Sequence, residues 1–237
     1  MATSTLPRVL EPEVMDTAEE ASDYDAMDHG VVNAAFADDV VRLLGGRDAE
    51  GSVVDIGTGT ALIPVAVAGR TTRITLVGVD LAAHMLTVAR KNVERSGFAD
   101  RIRLVHQDGK RTAFADGAFD LVMSNSIVHH IPDPKSALEE MWRLVKAGGR
   151  LFVRDLRRPD DEVELARLVT RHAAIPQDLP ASERAMHERQ RGLFEASLRA
   201  ALTLEEVRAI ATSMGLPPDT VSTTSDRHWT FVATKSP

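Results

Sequence analysis

The 237-residue chain has no cysteine, which excludes disulfides, thiolate metal centres and thiol nucleophiles together. Aromatic residues are only 4% of it, and Tyr24 is the one tyrosine. Positive charge is scarce as well: Lys plus Arg is 28 against 35 for Asp plus Glu, a net charge of -7. No dense basic tract stands against that background, which argues against a nucleic-acid partner. No apolar run approaches the roughly 20 residues of a membrane span, and the first twenty residues hold no signal-like apolar stretch. A cytoplasmic chain without a membrane partner is therefore expected. Its length suits one domain with a large core plus an elaboration.

What is present concentrates between Ser52 and Arg70. Ser52 to Ile56 reads as a short strand, Gly57-Thr58-Gly59-Thr60 as a tight turn, and Ala61 onward as an apolar helix. Glycines let backbone approach a ligand closely, and the helix start points unpaired N–H groups over the turn. Pro64 lies about one turn into that helix, where a missing N–H costs little. Arg73 to Val79 is a second buried strand ending on Asp80. A nucleotide site places its ribose-binding carboxylate there, about 20 positions past the glycines.

The dinucleotide fingerprint asks for glycine at its sixth place, which here is Leu62, and Asp55 before the turn is foreign to it. The segment resembles instead motif I of the class I S-adenosylmethionine-dependent methyltransferases, Asp-x-Gly-x-Gly-x-Gly. Ala61 stands where the last glycine belongs, and only a slight change in backbone approach is expected from it. Further on, Phe119 to Pro132 is similar to motif IV of the same family, and the resemblance covers roughly Gly51 to Phe152. It implies S-adenosyl-L-methionine as cofactor and S-adenosyl-L-homocysteine as product. By the same resemblance, Asp55, Gly57, Thr58, Gly59, Asp80, Leu81, Asp108, Gly109 and Asn125 bind the cofactor. Asp108 matches the acidic residue that commonly accepts from the adenine amino group. Without cysteine, the pyrimidine C5 mechanism is excluded.

The remaining elements follow from pattern. Val32, Phe36, Val40 and Leu44 recur at helical spacing until Gly45-Gly46, after an N-terminal stretch of about twenty residues read as frayed or draped. Ala82 to Ser96 is helical, and Arg101 to His106 alternates as a strand nearer the sheet edge would. Ala118 to Ser124 is a fourth strand. Asp133-Pro134 opens a helix that Gly148-Gly149 ends, with Trp142 as core, before a fifth strand at Leu151 to Val153. Three helical pieces follow: Glu162 to His172, Ser182 to Gln190 and Leu193 to Ala201. Thr203 and Glu206 form a capping box for the next helix, and Val221 and His228 to Thr234 close the chain as strands.

The acceptor side rests on thinner ground. Phosphoethanolamine methyltransferases are similar to this chain in having a histidine one turn past the fourth strand and a tyrosine in the N-terminal lid. That implies His129 as proton acceptor or acceptor anchor, latched by Tyr24; the alternative has His129 packed under a helix start and Tyr24 as a core contact. His228 and Asp155 are in reserve. No metal is expected, because adjacent His129 and His130 point different ways on a helix.

The expected fold is α/β, a doubly wound seven-stranded, mostly parallel sheet of the Rossmann-like methyltransferase type with helical lid elements. Residues 1–49 form an N-terminal lid and cover, 50–156 the cofactor-binding core, 157–202 a helical insertion, and 203–237 the helix and strand pair completing the core. Residues 157–202 are read as a substrate lid or a contact for self-association. The expected function is methyl transfer from S-adenosylmethionine to a small-molecule acceptor whose identity and methylated atom the sequence does not specify. Two alternatives stand beside it. An NAD-dependent oxidoreductase would share the fold, although the Tyr-x-x-x-Lys of a short-chain dehydrogenase is missing; the other is a non-catalytic S-adenosylmethionine-binding protein.

Overall fold

The computed structural model describes residues 6–14, 16–27 and 30–237. Seven strands form one sheet: β1 (Glu50–Ile56), β2 (Arg73–Asp80), β3 (Ile102–His106), β4 (Phe119–Asn125), β5 (Val145–Leu156), β6 (Val221–Thr223) and β7 (His228–Thr234). Their order is β3-β2-β1-β4-β5-β7-β6. β1 runs parallel to both β2 and β4, and β2 parallel to β3, so β3 is the edge strand that its alternation suggested. Register sets Ile56 beside Val79 and Asp80 beside His106. The carboxyl ends of β1, β2 and β3 therefore share one rim, where ligands of such sheets bind. Lys235, just past β7, exchanges N–H to carbonyl bonds of 2.9 Å with Gly148 and Gly149 of β5, the reciprocal pattern of an antiparallel pair. The sheet is thus mixed, and mostly parallel.

The helices among the described residues are α1 (Ala18–Asp25), α2 (Gly30–Leu44), α3 (Leu62–Arg70), α4 (Ala83–Ser96), α5 (Pro134–Leu144), α6 (Glu162–His172), α7 (Ala181–Ala200) and α8 (Leu204–Ser213). Both ends expected from capping chemistry are present. Thr203 and Glu206 cap α8 reciprocally, and Pro134 opens α5. No helix among the described residues is long and apolar enough to cross a membrane.

The chain divides into two compact units. The larger comprises Val14–Ile127, Asp133–Val153 and Phe231–Pro237. Its core gathers Phe36 and Val40 of α2, Val67 of α3, Val53, Leu76 and Leu121 of the central strands, and Phe152. Phe36 and Phe152 meet with ring centroids 4.6 Å apart. The smaller comprises the N-terminal arm through Glu13, Val128–Pro132 and Arg154–Thr230. Leu6, Leu156, Leu165, Leu168, Val169 and Leu198 form its core.

Two local readings are corrected, and a third is decided. α5 stops at Leu144, and Gly148-Gly149 lie inside β5, because both pair with Lys235, Gly148 at φ +77°. Two helical pieces merge into the single α7, whose interior carries Gly192. A helical glycine costs only about 1 kcal/mol against alanine, and no proline lies between Ala181 and Ala200 to break the run. Of the two readings of the N-terminal stretch, residues 6–13 are draped and anchored rather than frayed. Leu6 is buried, and the Arg8 guanidinium donates to the carbonyls of Ala200, His129 and Ile131 at 2.7, 3.1 and 2.9 Å.

Candidate active site

The turn between β1 and α3 is built by backbone constraints that few residues satisfy. Gly57 has φ +77°, and a Cβ there would stand 2.1 Å from Ile127 Cδ1, so only glycine fits. Gly57 and Thr58 both donate to Val79 O, at 2.8 and 2.9 Å, which ties the turn to the end of β2. Asp80 completes it: its Oδ2 accepts from Gly59 N at 2.7 Å and its Oδ1 from Ala82 N at 2.9 Å. Burial pushes this carboxyl up, against those N–H donors and that of Leu81. A carboxylate has about four acceptor positions, so the three N–H donors leave about one for a ligand hydroxyl.

Ala61 carries more than the sequence suggested. As N-cap of α3 it sits at φ +61° and ψ +24°, left-handed and fully buried. Glycine adopts such a backbone freely, whereas alanine holds it under strain. Among the described residues, Ser126, just past β4, is the other non-glycine residue at positive φ, +57°.

A recess opens over the turn, lined by Asp55, Gly57, Thr58, Thr60, Asn125 and Tyr24, with Asn33 of α2. Thr60 Oγ1 is buried with no hydrogen-bond partner among the described residues, while the buried Thr58 hydroxyl interacts with the Asp55 carboxylate and opposes the effect of its burial. Such an orphan is costly unless a ligand satisfies it. Burial, with the Asp80 charge nearby, pushes the Asp55 carboxyl up to about 7. Burial and the Asp55 and Asp80 charges push the Tyr24 phenol up to about 12, so it stays neutral. Tyr24 lies over Gly59, where an added Cβ would stand 3.6 Å from its ring. Asn92 of α4 ties α1 to the turn, donating to Asp25 Oδ1 at 2.7 Å and to Thr60 O at 3.0 Å. Carboxylates, hydroxyls and an open recess suit the hydroxyls and positive charge of S-adenosylmethionine. The residues fit the group.

Other expected residues stand around rather than in the recess. Leu81 is 37% exposed beside Asp80, and its carbonyl lies 2.8 Å from His106 Nε2. Asp108 Oδ1 is engaged by its own loop, 2.9 Å from Lys110 N and 3.1 Å from Lys110 Nζ. Gly109 is required by close approach, since a Cβ would meet Ile56 Cγ2 at 2.7 Å. Asn33 and Asn92 were missed: each is one polar residue in a helical pattern, and only its place on the fold marks it.

His129 belongs to the smaller unit, while Tyr24 belongs to the larger. Its Nδ1 lies 2.6 Å from Asp155 Oδ1, and both side chains are buried. Burial alone would lower the His129 pKa, but the charge and hydrogen bond of Asp155, with Glu11, hold it above the ordinary value. Asp155 Oδ2 accepts from Val128 N at 2.6 Å, so the same carboxylate fixes the turn that carries the ring. The expectation that His129 and His130 diverge is corrected. Residues 128–130 form a 3₁₀ turn, and the two ring centroids lie 4.0 Å apart. Of the reserves, Asp155 thus orients His129, and the His228 ring lies 2.8 Å from Ser225 Oγ, pushed down to about 4 mainly by burial.

Comparison with known proteins agrees with this geometry. A family profile described as a methyltransferase domain matches residues 54–153. The ubiquinone/menaquinone biosynthesis C-methyltransferase of Geotalea uraniireducens is 34% identical over 115 residues, 48% of this chain and 49% of that one. The chain spans about half the length of the curated relatives it matches. A solved structure from Methanococcus maripaludis, described as a candidate S-adenosyl-L-methionine-dependent methyltransferase, superposes with a TM-score of 0.67. It is 18% identical and is matched over 97% of this chain and 98% of its own. The plantazolicin methyltransferase, solved with a desmethyl analogue and S-adenosylhomocysteine, gives a TM-score of 0.61 at 16% identity over 82% of this chain and 67% of its own.

Proposed function

We infer that this chain, which carries a class I S-adenosylmethionine-dependent methyltransferase domain on the fold of that family, transfers a methyl group to a small-molecule acceptor. The observation that carries the reading is the Asp80 bridge from Gly59 N to Ala82 N beside the orphaned Thr60 hydroxyl of the recess. When bound, the cofactor supplies a methyl group already activated on a sulfonium. Asp80 would hold a ribose hydroxyl, and Asp55, Thr58, Thr60 and Asn125 would line the remainder. What the chain must add is alignment and exclusion of water, worth up to about 7–11 kcal/mol when geometry is well held.

Tyr24 over the glycine turn supports a lid role for the N-terminal segment. For a proton on the acceptor, His129 is our choice. With Nδ1 taken by Asp155, its Nε2 is left to accept, the arrangement that gives an imidazole a fixed tautomer. The small-molecule reading draws on the quinone-biosynthesis relative and on the net charge of -7, which is poorly suited to a nucleic acid. The protein is incubated with methyl-labelled cofactor and a fractionated cell extract. Label in the low-molecular-mass fraction is expected; label confined to protein or nucleic acid, or no transfer, would overturn the assignment.

A further inference from the structure

In the smaller unit, a carboxylate oxygen of Glu11 and one ring nitrogen each of His129 and His130 all lie within 4.8 Å of one another. We propose that Glu11, His129 and His130 bind a divalent transition-metal ion, with zinc the best match to two imidazoles and one carboxylate. Bonds of about 2.1 Å on a tetrahedron put ligand atoms about 3.4 Å apart. Glu11 Oε2 and His130 Nδ1 already stand 3.3 Å apart. The His129 nitrogen lies within 4.8 Å of both.

The surroundings are those of a held ligand set. Asp155 takes His129 Nδ1 at 2.6 Å, which leaves Nε2 as the nitrogen with a free lone pair. Ser197 Oγ donates to the Glu11 carboxylate, 3.1 and 3.3 Å from its two oxygens. Outer partners of this kind fix the orientation of metal-binding histidines and carboxylates. His130 Nδ1 is buried and makes no hydrogen bond among the described residues.

The consequence concerns His129. An ion here takes the lone pair that a proton acceptor needs, so loading converts His129 from base to ligand. It also fastens the N-terminal arm to the turn at 128–130.

The full-length protein, stripped with a chelator, is titrated with zinc by calorimetry and with cobalt(II) by visible absorption. One saturable equivalent is expected, with cobalt bands of a low-coordinate nitrogen–oxygen site. His130→Gln and Glu11→Gln should each weaken zinc at least about 100-fold, and Ser197→Ala about 10-fold. His84→Gln, at an exposed histidine elsewhere, should leave affinity unchanged. The cobalt spectrum of the unaltered protein stands without any variant, and circular dichroism checks that each variant is folded. Absence of a single saturable equivalent, or unchanged zinc affinity in folded His130→Gln and Glu11→Gln, overturns the proposal. Neither result bears on methyl transfer, which is read separately.

Discussion

Asp155 Oδ1 lies 2.6 Å from His129 Nδ1, and the two side chains are among the most deeply buried polar groups described. A carboxylate buried this way is stable only because the ring and the N–H groups of Val128 and Leu156 satisfy it. The pair therefore fixes both the tautomer of His129 and the backbone that carries it.

Kinetics follow from that pairing. His129→Ala should lose at least about 100-fold in kcat, with cofactor affinity nearly intact, while Tyr24→Phe should lose less. Because Asp155 holds the His129 pKa above the ordinary 6.5, the neutral form fills only at higher pH. The rate should rise with pH on a limb centred above 6.5. Unchanged turnover in His129→Ala, measured with the true acceptor, contradicts the assignment.

A second expectation concerns Ala61, left-handed and fully buried. A left-handed L-residue costs about 1–2 kcal/mol, while glycine loses about 0.4–1 kcal/mol more chain entropy on folding. Ala61→Gly should therefore be neutral to stabilising, by at most about 1.6 kcal/mol. Ala61→Val, β-branched and larger, should destabilise by at least about 2 kcal/mol. Urea titration measures both, and a valine variant as stable as the parent would contradict the strain.

The Asp55 carboxyl gives a pH test. Its folded pKa, about 7, is raised above the unfolded value. The stability it contributes is therefore complete below about 3.9 and is lost as pH rises through about 7. Without cofactor, Asp55→Asn should be more stable than the parent at pH 8, by on the order of 3 kcal/mol, and the gap should shrink toward pH 5. Melting curves at the two pH values decide it; an asparagine variant that melts no higher at pH 8 refutes the buried charge.

Much of this was legible in sequence because local chemistry and fold agreed. Gly57, Asp80 and the β1–α3 turn follow from spacing, and the Thr203–Glu206 box marked α8 to within a residue. Three things were not legible. Gly148-Gly149 read as a helix stop, since only the distant Lys235 makes them strand. Arg8 looked like one charge in a polar tail, because its carbonyl partners lie more than 120 positions away. The His129–His130 pair was read on α-helical angles, whereas a 3₁₀ turn brings the rings together. In each case the deciding partner is remote in sequence, or the turn is too short to show a period.

The account stands or falls on the nucleotide site, and calorimetry on the full-length protein tests it most directly. S-adenosylmethionine and S-adenosylhomocysteine should bind, NAD should not, and Asp80→Asn should weaken cofactor binding about 10- to 100-fold through loss of hydrogen bonds to a charged group worth roughly 1.5–3 kcal/mol. Binding of NAD, or a folded Asp80→Asn variant with the parent's affinity for S-adenosylmethionine, would contradict it.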